Sequence, residues 1–286
     1  MAILKQHTIE NSVSMSGVGL HSGQPVLMTL FPAADDTGIV FRRIDLKPVV
    51  EIKATALNIQ ETFMCSVLSH QQAKIGTVEH FMAALAALHI DNIIVEVNAS
   101  ELPVMDGSAA PFVLLLEAAG RVQQNQPRHT LKILQSVRVE DGDRFVELAP
   151  FEGGLKLDIE IAPSHPVITR TSRTLSYLLQ ESTFAKEISR ARTYGMVKDL
   201  ERLHQNQLAR GASLENAVGI DDDAILNPEG LRYPDEFVRH KVLDAIGDLY
   251  CAGSVLGHFK AYQPGHALNN AVLRKVLQTP GACTVL

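Results

Sequence analysis

A chain of 286 residues, 46% hydrophobic and 20% charged, can bury a real core, and its length favours two domains over one. The formal net charge is −6, from 26 basic and 32 acidic residues with no dense Lys/Arg tract, which argues against a nucleic-acid-binding surface. Cys65, Cys251 and Cys283 are odd in number, far apart and form no CxxC pair, which argues for a reducing compartment and against a cysteine-built zinc knuckle. The N-terminal MAILKQHTIENSV lacks the apolar core of a signal peptide, and no apolar run approaches the ~18 residues of a membrane span. The expectation is a cytoplasmic protein without a membrane span.

In chain order, GVGLHSG (17–23) carries glycines but does not follow a strand and open a helix, as a dinucleotide loop must. VLMTLF (26–31) reads as a strand. TVEHFMAALAAL (77–88) reads as a helix, because Val78, Phe81, Met82, Leu85 and Leu88 fall at helical spacing. Thr77 suits its N-cap and Glu79 the positive end of its dipole. IIVEVNA (93–99) reads as a strand, and AAPFVLLLEAAG (109–120) as a second apolar helix opened by Asp106 and Gly107. Ser108 sits in DGSAA, which is not the GxSxG of a nucleophile elbow.

RVQQNQPRHT (121–130) is polar, Gln-rich and contains Pro127, so it reads as a linker or long turn. It divides the chain into an N-terminal domain, 1–126, and a C-terminal domain, 127–286. In the second half, LKLDIEI (155–161) reads as a strand, and 193–229 as an insert with some helix near 196–208. DEFVRHKVLDAIGDLYCAG (235–253) reads as a strong helix, GHFKAYQ (257–263) as a short strand and HALNNAVLRKVLQ (266–278) as the closing helix. Each half therefore ends helix–strand–helix. The simplest architecture is α+β, with two similar layers each packing two helices on a sheet and an active site between them.

His240 and Asp244 are four residues apart on the 235–253 helix, so they share one face, and Asp248 continues that stripe. Val238, Val242, Ile246 and Leu249 take the opposite side, the expected core face. An imidazole and a carboxylate at this spacing can reach one metal ion, although HxxxD on an amphipathic helix is more often a solvated face. Glu79 and His80 are adjacent, so their side chains diverge by about 100°; one can ligate while the other stands beside a reacting water. His80, His240 and Asp244 would give the three protein ligands of a catalytic zinc, with Glu79 as base. Ordinary dipole capping is the alternative for Glu79. His266 follows Pro264-Gly265 at a helix mouth, placed for proton donation or charge stabilisation, or for a surface cap. Thr193 in ARTYG (191–195) offers one hydroxyl. His21, His70, His89, His129, His165, His204 and His258 have no partner at ligand spacing and default to surface or core histidines.

Taken together, TVEH (77–80), VMDGSAAPF (104–112), ARTYG, RHKVLDAIGDL (239–249) and GHALNN (265–270) resemble the UDP-3-O-acyl-N-acetylglucosamine deacetylases, which catalyse the committed step of lipid A synthesis in Gram-negative bacteria. GVGLHSG and SHPVI (164–168) also look like that family, and the motifs run in family order over nearly the full length. The resemblance implies two α+β sandwich domains, each with an insert. It implies zinc held by His80, His240 and Asp244, with Glu79 as general base and His266 as its charged or acidic partner. It implies that Asp248 orients His266, that Thr193 helps an oxyanion, and that Lys241 meets the substrate near its phosphates or sugar. Tyr194 stands where many members carry Phe; the ring is retained for stacking against substrate. The second insert is where the family passes the acyl chain, and Leu200, Leu203, Leu208, Leu214, Val218, Ile220 and Ile225 are the candidate lining. The expected partner is a small acylated UDP-sugar, and the expected state a monomer. The rivals are a metal-free sugar-nucleotide or acyl-chain enzyme and a binding domain with structural zinc. The latter needs a fourth protein ligand, and no cysteine lies near the three candidates in sequence.

Overall fold

A computed structural model of the chain describes residues 4–286. The fold is α+β. In the first half, the strand Ile93–Val97 lies at the centre of a five-stranded sheet. It runs antiparallel to Pro25–Pro32 and parallel to Ile39–Arg43, with Val13–Val18 and Val50–Lys53 at the edges. In the second half, Ser254–Tyr262 is the central strand of a seven-stranded sheet, antiparallel to Arg144–Ala149 and parallel to Leu155–Glu160. Both centres alternate strictly, burying Ile93, Val95 and Val97 in one and Val255, Gly257, Phe259 and Ala261 in the other. Each sheet therefore turns one face to the core.

The helices lie on those faces. Phe81 of the helix Glu79–Ala87 meets Phe41 of the first sheet edge-to-face, ring centroids 6.2 Å apart. Glu236–Tyr250 and His266–Gln278 pack on the second sheet. The two layers join where Glu79–Ala87 packs along Glu236–Tyr250, and the buried apolar residues of both halves form one continuous core. Each half carries an extra small sheet. Ile59–Glu61, Val67–His70 and Ala73–Ile75 form one, and the parallel pair Tyr194–Met196 and Val218–Ile220 forms the other. The second lies inside the expected insert, whose expected helix is the short Leu200–Gln205. Among the described residues, no helix is long and apolar enough to cross a membrane.

Two expectations need correction, and one alternative reading is ruled out. The polar stretch read as a linker is largely a strand, Arg121–Pro127, paired antiparallel with Lys5–Ile9 near the start of the chain. Pairing overrode its poor strand composition, because Lys5–Ile9 offers it a partner and its side chains stay mostly exposed. Thr77 does not cap the first helix. It sits at φ 55°, its hydroxyl donates to Glu101 at 2.9 Å, and Val78 occupies the cap position. Finally, Glu236–Tyr250 has no solvated polar face at the site. His240, Asp244 and Asp248 are as buried as Val238, Val242, Ile246 and Leu249, because the Glu79–Ala87 helix covers them.

The cover is tight at one point. A Cβ built on Gly247 would fall 1.9 Å from the carbonyl oxygen of Glu79, so the helices touch there backbone to backbone. In an isolated helix, Gly→Ala stabilises by about 1 kcal/mol. Gly247→Ala should instead destabilise the protein by roughly 1–3 kcal/mol, through overpacking. Chemical denaturation checks this; a variant of wild-type stability or better would show that the helices can part without cost.

Candidate metal centre

Glu79 and His80 open the first long helix, both buried although charged or polar. The crossing at Gly247 lays them over the middle of Glu236–Tyr250, where His240, Asp244 and Asp248 rise on one stripe. The His80 and His240 rings meet edge-on at 5.0 Å. Asp244 Oδ1 lies 3.3 Å from His240 Nε2 and 3.6 Å from His80 Nε2. His80, His240 and Asp244 thus offer three ligand atoms within 4.8 Å of one another, all from buried residues.

The protons around this group show what it suits. His240 Nδ1 is 3.0 Å from the carbonyl oxygen of Ala191, which can only accept, so the ring proton sits on Nδ1 and the lone pair of Nε2 faces Asp244. Burial pushes His240 down to about 3, outweighing the pull of Asp244, so its imidazole is neutral. Burial alone would raise the Asp244 carboxyl. The ammonium of Lys241, donating to its Oδ2 at 2.8 Å, instead holds it well below the usual carboxylate range. Asp244 Oδ1 is left buried with no hydrogen-bond partner among the described residues. An orphaned carboxylate oxygen facing an imidazole lone pair is a poor arrangement by itself and a good one for a cation between them.

Glu79 and His266 border the same space, with Glu79 Oε1 3.8 Å from His266 Nε2. The other Glu79 oxygen accepts from the Ser66 backbone N–H at 3.1 Å. Burial raises the Glu79 carboxyl, against the opposing pull of His266 and His80. His266 Nδ1 contacts Asp248 Oδ2 at 2.9 Å. Burial would lower His266, but Asp248 and Glu79 more than offset it and push it up to about 10.

Thr193 and Tyr194 reach the site through a different set of contacts. The Thr193 N–H donates to the Gly107 carbonyl at 2.8 Å, and a Cβ on Gly107 would meet the Asn216 carbonyl oxygen at 1.9 Å. The DGSAA turn therefore docks the second insert, and only glycine permits that approach. The Tyr194 ring packs on Phe237 at 4.9 Å and lies 5.6 Å from Lys241 Nζ. Behind it, Leu200, Leu203, Leu214, Val218 and Leu226 line a largely apolar cavity of about 320 Å³, completed by Met64 and Leu20 of the first half. Of the seven expected lining residues, Leu208, Ile220 and Ile225 do not face it.

His21, which has no partner at ligand spacing in the sequence, lies at the site. It lines the same cavity, its Nε2 is buried without a partner among the described residues, and burial lowers it, with the His266 charge acting in the same direction. Glu101 anchors it, accepting from the His21 and Ser22 backbone N–H groups at 2.9 Å each. No ligand spacing could have found His21; the GVGLHSG motif was its only signal.

His266 should carry its proton through the neutral range in metal-free protein. Its folded value lies above the ordinary 6.5, so the stability it adds is complete below that pH and is lost as pH rises toward about 10. In chelator-stripped protein its ring NMR signals should titrate well above 6.5, and Asp248→Asn should move that titration down. Titration near 6.5 in both proteins would remove Asp248 as the cause.

The chain also resembles known proteins over nearly its whole length. The family model described as UDP-3-O-acyl N-acetylglycosamine deacetylase (LpxC) matches residues 6–278. A UDP-3-O-acyl-N-acetylglucosamine deacetylase of Tolumonas auensis is 51% identical over 277 residues, covering 96% of this chain and 90% of its own length. The namesake from Pseudomonas entomophila is 49% identical over 285 residues, covering 99% and 94%. That of Colwellia psychrerythraea is 50% identical over 278 residues, covering 96% and 91%. With a match over nearly its full length and half its residues shared, the chain belongs to the UDP-3-O-acyl N-acetylglycosamine deacetylase family.

Proposed function

We propose that this chain is a zinc-dependent amidohydrolase that removes the N-acetyl group of a UDP-3-O-acyl-N-acetylglucosamine, releasing acetate and the free 2-amino sugar nucleotide, the committed step of lipid A biosynthesis. It would act as a monomer in the cytoplasm of a Gram-negative bacterium, with 1–126 and 127–286 as its two domains. The observation that carries this reading is the buried His80–His240–Asp244 group with Glu79 and His266 facing each other beside it. The names of the relatives supply the substrate class.

His80, His240 and Asp244 would hold the zinc, leaving the open position of a catalytic rather than a structural site. Bound there, zinc supplies Lewis-acid charge that polarises the acetyl carbonyl and makes water a better nucleophile. Glu79 takes the water proton on Oε1, the oxygen not held by Ser66, and its raised carboxyl keeps it basic enough to do so. The reacting carbon would sit over the metal position, within reach of both Glu79 Oε1 and His266 Nε2. Protonated His266 donates to charge developing on the substrate oxygen or to the departing amine. Asp248 positions that imidazole, and Thr193 adds a hydroxyl to the oxyanion. Lys241 already holds Asp244 Oδ2, so its ammonium meets substrate at the rim while steadying a ligand. Tyr194 presents its ring toward the sugar, and the apolar cavity behind it takes the acyl chain.

Purified protein supplied with the acylated UDP-sugar should release acetate, and a strong chelator should abolish the activity. Glu79→Gln should lower kcat by on the order of 10²–10⁴ with zinc still bound, because the amide keeps the shape but cannot take the proton. Full activity in demonstrably metal-free protein would overturn the mechanism, and near-normal turnover in Glu79→Gln would remove Glu79 from it.

The cavity carries its own consequence. At roughly 0.8 kcal/mol per buried CH₂, several methylenes are worth orders of magnitude in kcat/KM. Substrate lacking the acyl chain should react far more slowly, and Leu203→Asp, on the cavity wall, should narrow that difference. Equal kcat/KM with and without the chain would show that the cavity is not the acyl site.

A further inference from the structure

The geometry points to Ser66 as a positioning residue that holds Asp248, and through it the His266 imidazole, in the orientation the deacetylation needs. This inference rests on the functional reading above.

Ser66 precedes the strand Val67–His70 in the small sheet of the first half, while Asp248 and His266 belong to the second. Ser66 is fully buried. Its Oγ lies 2.6 Å from Asp248 Oδ1, and its backbone N–H donates to Glu79 Oε2 at 3.1 Å. One residue therefore touches the proposed base and the carboxylate behind the proposed acid, with different atoms. The hydroxyl has one proton and the carboxylate none, so Ser66 donates.

Asp248 is 1% exposed and accepts three donors among the described residues. Oδ2 takes His266 Nδ1 at 2.9 Å and Asn269 Nδ2 at 2.8 Å. Oδ1 has Ser66 alone among the described residues. The plane of the carboxylate is thus fixed by a pull from each side. Without the hydroxyl, Oδ1 becomes a buried acceptor with nothing to accept, and the carboxylate relieves that by rotating or drawing in water. Either response moves Oδ2, and His266 moves with it. Asn269 cannot compensate, because it lies on the same side as His266. A serine that merely filled space would need neither the short contact nor the alignment on the carboxylate.

The two contacts separate chemically. Ser66→Ala keeps the N–H on Glu79 and deletes only the bond to Asp248. It should lower kcat about tenfold, with KM within about twofold and metal content unchanged. In an Asp248→Ala background the same substitution should change kcat by less than about twofold, since there is nothing left to hold. Ser66→Thr keeps the hydroxyl and should restore most of the loss; if its extra methyl prevents folding, the Ser66→Ala and Asp248→Ala cycle decides alone. At neutral pH the His266 ring signals of metal-free Ser66→Ala should shift in the direction seen in Asp248→Ala. Equal losses of kcat in both backgrounds, a loss confined to KM, or unmoved ring signals would overturn the proposal. The ring signals need no turnover, so wild-type protein that releases no acetate would overturn the functional reading while they still judge Ser66.

Discussion

The backbone contact between Gly247 and Glu79 is the constraint on which the site depends. The Glu79–Ala87 helix is buried on every residue, so it must be covered on both sides, by the first sheet and by the Glu236–Tyr250 helix. Covering it brings two polar stripes into the interior together. His80 can reach the gap between His240 and Asp244 only because the helix axes approach more closely there than a side chain at position 247 would allow. The site is thus a product of how two separately made layers meet, and neither layer contains it.

Burying so many ionisable groups is costly unless they are paired. The two central histidines show how the cost is divided. His240 spends its Nδ1 proton on a neutral carbonyl, and burial keeps it neutral, which suits a ligand. His266 spends its own on Asp248 and faces Glu79, and those carboxylates keep it charged, which suits a donor. The same side chain receives opposite states from its neighbours, which is the division between binding and proton transfer that the proposed function calls for.

The remaining motifs hold the walls. Gly107 receives the second insert at its carbonyl and fixes Thr193. Glu101 gathers the GVGLHSG turn and Thr77, which enters the first helix. Buried Arg192 and Glu236 clamp the chain between Ala191, whose carbonyl holds His240, and Thr193. Each glycine and each buried charge here allows or holds a close approach between distant segments. That is why short motifs scattered along the chain converge on one cavity.

The sequence by itself determined the periodic elements. The helices at 77–88, 109–120, 235–253 and 266–278 and the strands at 26–31 and 155–161 were legible because apolar spacing records which face is buried. His240 and Asp244 were legible as a pair because one helix sets their spacing. The addition of His80 from another helix rested on residue chemistry and on family resemblance, since spacing carries no information between elements. Only the tertiary structure made Arg121–Pro127 a strand, because pairing with Lys5–Ile9 supplied what its composition lacked. Only the tertiary structure buried the His240 stripe, drew in His21 and Ser66, and left Leu208, Ile220 and Ile225 off the cavity wall. Local propensity and periodicity depend on neighbours a few residues away, whereas burial, proton placement and a shared cavity depend on contacts such as the one between Ser66 and Asp248, 182 residues apart.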